Sequence, residues 1–190
     1  MKKLQALLIL VSFFSLQGCF VAGAAAGAAA IAVVYDHRNI SNILHDTDIA
    51  NKIADRISKV PALRNNSHVE VTVFNRVVLL TGETPNQALK QQAEDIAKSV
   101  SEVTRVYNQL SIQGPTSSLI RTSDSWITTK IKTEMLATED LKSGSIKVVT
   151  ENGVVYLMGM VKHEQAEIAV DIARQVSGVQ KVVKIFQYKN

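Results

Sequence analysis

One pattern of residues occurs twice along this 190-residue chain, and it limits the fold more than any other feature. Val77-Val78-Leu79-Leu80-Thr81-Gly82 aligns with Val154-Val155-Tyr156-Leu157-Met158-Gly159 at an offset of 77 residues. Upstream, Ile49, Ile53 and Ile57 match Ile127, Ile131 and Met135 at an offset of 78. Downstream, Ala93 to Val100 matches Ala169 to Val176 at 76, so single-residue gaps separate matching elements. A repeat of this length means one supersecondary unit built twice.

Each copy opens with a helix whose apolar residues recur every four positions. Asp48 and Asp124 stand where N-caps or first-turn acids are expected. Two short alternating strands follow. In the first copy they are Val69-Val71-Val73 and Val77 to Leu80; in the second, Ile146-Val148 and Val154 to Leu157. Asn75-Arg76 and Asn152-Gly153 separate the strands at hairpin spacing. Asn-Gly favours a type I′ turn because both central residues need positive φ. Arg76 departs from that rule, so the first turn is either looser or strained. A second helix comes next, Gln87 to Val100 and Glu164 to Val176, and a last strand closes each copy, Val103 to Ile112 and Val179 to Tyr188.

The expected fold class is therefore α+β, two tandem α-β-β-α-β units. In each unit a hairpin pairs antiparallel and the last strand returns through a helix. That strand is expected to lie parallel to its neighbour after a right-handed crossover. The result is a three-stranded mixed sheet with two helices on one face. About 67 residues is marginal for an independent core, so the two copies are expected to pack together. Gly114-Pro115-Thr116-Ser117-Ser118 reads as the linker.

These residues resemble the BON domain family. The resemblance rests on the strand ending in a glycine, at Gly82 and Gly159. It rests also on the helix-to-strand joint Val176-Ser177-Gly178-Val179. The first copy reads Val100-Ser101-Glu102-Val103 at that joint, without the glycine, and is the more divergent. The stretches Trp126-Ile127-Thr128-Thr129-Lys130 and Thr150-Glu151-Asn152-Gly153 add to the match.

The N-terminus carries a second set of signals. Met1-Lys2-Lys3 is basic, Leu4 to Leu16 is mostly apolar, and Leu16-Gln17-Gly18-Cys19 resembles a bacterial lipobox. The apolar run is too short to span a bilayer, and its flanks are those of a secretory signal. Residues 1–18 are expected to leave as a signal peptide. Cys19, the only cysteine, then carries diacylglycerol and an N-acyl chain. No other cofactor is expected. Phe20, by resemblance to other lipoproteins, implies export to the outer membrane.

The division read from the sequence is 1–18 signal peptide, 19–45 Ala/Gly-rich tether, 46–113 first BON domain, 114–123 linker and 124–190 second BON domain. The tether contains Gly23-xxx-Gly27, and whether residues 21–35 touch the membrane is open. A lipobox, a tether and two BON domains resemble the dual-BON outer-membrane lipoproteins of the periplasmic face. That resemblance implies an envelope-integrity role, binding of anionic phospholipids such as phosphatidylglycerol and cardiolipin through the second domain, and enrichment at division sites. It also implies contact with the outer-membrane protein assembly machinery.

The repeat supplies an internal control for where a lipid site lies. Trp126, Thr129, Lys130, Thr133 and Leu136 share one helix face, beside the stripe Ile127, Ile131 and Met135. The first copy has Asp48 in place of Trp126 and Ser58 in place of Leu136. Such a face is not core in both copies. An indole ring suits the headgroup region of a bilayer, and Lys130 and Lys132 suit lipid phosphates. The alternative is that Trp126 packs between the two domains.

Other functions find less support. Formal charge is +4, but Lys2 and Lys3 leave with the signal, and no basic cluster suggests a nucleic-acid partner. His37, His45, His68 and His163 show no metal-ligand spacing, and no nucleophile or phosphate-loop motif occurs. An enzyme is not expected. The competing expectation is a protein-binding adaptor of an outer-membrane assembly complex.

Overall fold

The computed structural model describes residues 40–114 and 118–189. Cys19, the signal and the tether lie outside these residues. The described residues belong to one compact unit, Arg38–Asn190.

The first copy runs α1 (Ile40–Ser58), α2 (Pro61–Asn66), β1 (His68–Phe74), β2 (Val77–Thr84), α3 (Gln87–Lys98), β3 (Arg105–Asn108) and β4 (Ser111–Ile112). The second runs α4 (Ser118–Ala137), a 3₁₀ turn at Ser143–Ser145, β5 (Ile146–Glu151), β6 (Val154–Val161), α5 (His163–Gln175) and β7 (Lys181–Tyr188). β1 pairs antiparallel with β2, and β3 and β4 both pair parallel to β2. β5, β6 and β7 repeat that arrangement. The expected α+β fold of two tandem α-β-β-α-β units holds, with the parallel return strand that a crossover demands.

Four details differ from the sequence reading. The strand expected from Val103 to Ile112 is split in two. Leu110 turns into the core beneath the helices, 1% exposed, and Asn108 Oδ1 accepts the Leu110 N–H at 3.3 Å. One inward leucine and one side-chain bond thus break the ladder. Helix α2 was not expected; Pro61 opens it, where a missing N–H costs nothing, and Leu63 buries against the first core. Helix α4 starts at Ser118, inside the stretch read as linker. Asp48 and Asp124 are not at helix starts. Asp48 is an exposed mid-helix residue paired with Lys52 at 2.5 Å.

Asp124 has a different task, and Asp46 is its counterpart in the first copy. Both are mid-helix and buried. Asp124 accepts the N–H groups of Asn152 at 2.8 Å and Gly153 at 2.9 Å. Asp46 accepts those of Asn75 at 2.7 Å and Arg76 at 2.9 Å. Each first helix thereby clamps its own hairpin turn with one carboxylate. Both turns take positive φ at both central residues, 49° and 63° at Asn75-Arg76 and 50° and 73° at Asn152-Gly153. The first turn is therefore strained rather than loose. A left-handed conformation costs a non-glycine residue roughly 1–2 kcal/mol, and Asp46 holds Arg76 in it.

The strand-ending glycines have a steric reason. A Cβ on Gly82 would lie 2.1 Å from the His68 carbonyl oxygen, and one on Gly159 would lie 2.8 Å from that of Ser145.

Alternation along β2 and β6 sets the layers. Val78 and Leu80 face α1 and α3, and Val155 and Leu157 face α4 and α5. The intervening residues point the other way. Val77 and Leu79 meet Tyr156 and Met158 in a third cluster with Phe74 and Ile185. The two sheets therefore pack through their helix-free faces, giving four layers: helices, sheet, sheet, helices. All eight residues of β2 are buried because both its faces are covered. Polar contacts close the seam. Asn75 Nδ2 donates to Gln187 Oε1 at 2.6 Å, and Asn152 Nδ2 to Glu83 Oε1 at 3.1 Å.

Leu79 lies in this seam with no exposed surface. Leu79→Ala should lower stability by about 2–5 kcal/mol. Both domains should still melt in one cooperative transition. Two resolved transitions in wild type, by calorimetry, would contradict a shared core.

Candidate functional site

Helix α4 places one face on the second core and leaves the opposite face to solvent. Asp124, Ile127, Ile131 and Met135 are buried. Trp126, Thr129, Lys130, Lys132, Thr133 and Leu136 are all exposed. Trp126 is 54% exposed and Leu136 53%. The alternative that Trp126 fills the interdomain contact therefore fails: the seam is made by the sheets, and the indole lies on the outside.

The chemistry of this face follows from its hydrogen bonds. Thr129 Oγ1 donates to the Ser125 carbonyl at 2.9 Å, and Thr133 Oγ1 to that of Thr129 at 2.9 Å. Back-bonding of this kind spends the hydroxyl proton on the helix backbone. Lys130 pairs with Glu134 at 3.1 Å, four residues on. Lys132 has no carboxylate partner among the described residues. The face thus offers a large aromatic, a leucine, two threonines with internally bonded hydroxyls and a cation without a counter-charge.

The equivalent face of α1 is different in kind. Asp48 occupies the place of Trp126, Asp55 that of Thr133 and Ser58 that of Leu136. Asp48 pairs with Lys52 and Asp55 with Lys59, at 2.5 and 2.6 Å. Both helices cover a core of the same fold, so the apolar, cationic surface of α4 is not required for folding.

A second cluster, absent from the sequence reading, lies in the seam. Glu83 is 1% exposed, and its Oε2 has no hydrogen-bond partner among the described residues. Glu151 is 9% exposed, and Asn152 Nδ2 reaches its Oε1 at 3.3 Å as well as Glu83. Burial raises the Glu151 carboxyl to about 7, helped by the negative charges of Glu83, Glu70 and Asp124 and by a hydrogen bond with Glu83. A second carboxyl beside it in a dry seam favours the protonated form of Glu151. The only signal in the sequence was polar residues continuing a strand at Thr81-Gly82-Glu83-Thr84. The burial of Glu83 comes from the other domain, which no local pattern reveals.

The consequence for stability has a definite sign. A carboxyl raised in the folded state binds more protons folded than unfolded between about pH 4.5 and 7, so stability falls as pH rises through that window. Glu151→Gln, which keeps a neutral donor beside Glu83, should flatten this slope. At about pH 8 the variant should melt above wild type, and at about pH 4.5 near it. An equal pH slope in both proteins would remove Glu151 as its source.

Among the described residues, no group of three or more His, Cys, Asp and Glu side chains could hold a metal ion. No described helix is long and apolar enough to cross a membrane.

Comparison with known proteins finds the BON domain profile twice, over residues 45–114 and 123–190. The outer membrane lipoprotein DolP of Haemophilus influenzae is 37% identical over 188 residues, covering 99% of this chain and 96% of the relative. The 21 kDa hemolysin of Actinobacillus pleuropneumoniae is 34% identical over 153 residues, covering 80% and 79%. The osmotically-inducible protein Y of Escherichia coli K12 is 30% identical over 146 residues, covering 75% and 72%.

Proposed function

Because this chain belongs to the BON domain family, as a dual-BON protein, we propose that it is a non-enzymatic outer-membrane lipoprotein that binds anionic phospholipid through the outer face of α4. Cys19 carries the acyl anchor, and the two domains face the periplasm. The name of the Haemophilus influenzae relative supports the location. The observation that carries lipid binding is the exposed Trp126, on a face that the first copy fills with ion-paired aspartates.

The physics of the face fits a bilayer interface. The indole ring rests at headgroup depth with its N–H wet. Leu136 adds apolar area, and Thr129 and Thr133 desolvate easily because their hydroxyls are already bonded. Lys132, and Lys130 once Glu134 is released, meet lipid phosphates at about 1 kcal/mol each near an anionic surface. Engaging this face leaves the seam intact, so the protein binds as a rigid wedge. Acyl chains on Cys19 hold the protein at the membrane, and α4 reads the charge of the lipid beside it. This supports an envelope-integrity role in regions rich in phosphatidylglycerol or cardiolipin, division sites included. Docking of a component of the outer-membrane protein assembly machinery is the competing use of the same face.

The test uses the compact unit from Arg38 onward, free of the anchor. It should sediment with phosphatidylglycerol vesicles and not with phosphatidylcholine vesicles, and salt should weaken it. Trp126→Asp and Leu136→Ser, which install the first copy's residues, should each lower binding by about tenfold or more without lowering the melting temperature. Undiminished sedimentation of Trp126→Asp, or equal binding to neutral vesicles, would defeat the proposal and favour a protein partner.

A further inference from the structure

The two hairpin turns provide a second internal comparison. Each turn lines a pocket, and the pocket at the first turn is also lined by Ile185, Phe186 and Gln187 of β7 in the other domain. The pocket at the Asn152-Gly153 turn has Asp124 as its one charged lining residue; Gly153 and Gln180 line it too, and the Gln180 side chain lies over Gly153. The pocket at the Asn75-Arg76 turn, about 540 Å³, has Arg76 in the place of Gly153. Thr104 replaces Gln180, and its short side chain turns back to donate to the Arg76 carbonyl at 3.1 Å. Arg105, the next residue, lines the same pocket with Asn42, and Val77, Tyr107 and Phe186 form an apolar wall.

Neither arginine has a carboxylate partner among the described residues. The Arg76 guanidinium has no ion pair or hydrogen bond among the described residues. Among the described residues, Arg105 donates from Nη1 to the Tyr107 hydroxyl alone, at 3.3 Å. The position of Arg76 is also unfavourable for any side chain, since its φ is 63° and the fold is served by glycine at the equivalent place. Strain of this kind persists where a local function offsets it. Asp46 lies behind the turn, but its two oxygens face the Asn75 and Arg76 amides rather than standing free.

We propose that the pocket between the first hairpin turn and β7 binds a phosphate group through Arg76 and Arg105, with the apolar part of a phosphate ester against Tyr107 and Phe186. Two guanidinium forks and an amide surround a multi-oxygen anion better than a single carboxylate requires. The site is in the groove between the domains, separate from the outer face of α4. A lipid headgroup and a soluble phosphate share this chemistry.

The test reads the Arg76 and Arg105 Nε–H signals by NMR in the full mature chain in neutral detergent. One arm adds inorganic phosphate, and the other adds phosphatidylglycerol to the micelles. Saturable shifts of both signals with inorganic phosphate are expected if soluble phosphates are the ligand; shifts with phosphatidylglycerol alone identify a lipid headgroup. Arg76→Gly removes the backbone strain and should raise the melting temperature while weakening binding about tenfold, so the loss is not misfolding. Arg105→Gln should weaken it similarly. If neither probe shifts the two signals, or if the double variant binds as tightly as wild type, the pocket is not a phosphate site.

Discussion

Everything else in this structure depends on the packing of two sheets through their bare faces. Each copy places its helices on one side of a mixed sheet and leaves Val77, Leu79, Phe74 or Tyr156, Met158, Ile185 on the other. An exposed apolar face of that kind would drive association with any available surface. Joining the two copies removes both faces from water at once and covers both sides of β2. It also determines where function can lie. With the sheets spent on each other, the solvent-facing surface of α4 is free to vary, and Trp126 and Leu136 stand on it.

The duplication makes that freedom visible. Asp46 and Asp124 perform the same clamp on the same type of turn, and the strand-ending glycines meet the same kind of backbone oxygen. These are the shared requirements of the fold. The copies part at Asp48 against Trp126, Ser58 against Leu136, and Arg76 against Gly153. Each difference lies at the surface or beside a pocket, where the shared fold does not require one residue over the other. The second copy gains an apolar, cationic helix face, and the first gains an open cationic pocket.

Much of this was legible in the sequence because the repeat carried it. Apolar spacing gave both first helices, alternation gave the hairpins, and the helix between strands required a parallel return. The exposed face of α4 could be listed residue by residue, since equivalent positions held Asp and Ser in the other copy. What stayed hidden depended on contacts distant in sequence. Asp46 looks like any surface acid until the turn amides near residue 75 arrive. Glu83 and Glu151 look like strand ends until the second sheet buries them. Leu110 breaks its strand by turning into the core beneath α1 and α3, which a run of alternating residues does not disclose. The sequence alone left Trp126 between two places, outside or in the seam, and the sheet-on-sheet packing decides between them.

Trp126 is the chain's only tryptophan, so its emission reports the central claim without a label. The measurement is the fluorescence of the Arg38–Asn190 unit mixed with vesicles whose acyl chains carry bromine, in phosphatidylglycerol and phosphatidylcholine forms. The account predicts a water-like spectrum alone, and a blue shift with quenching in the anionic vesicles that high salt reverses. An emission that stays water-like and unquenched while the protein is bound to anionic vesicles would contradict it, because the face of α4 would then not be what enters the membrane.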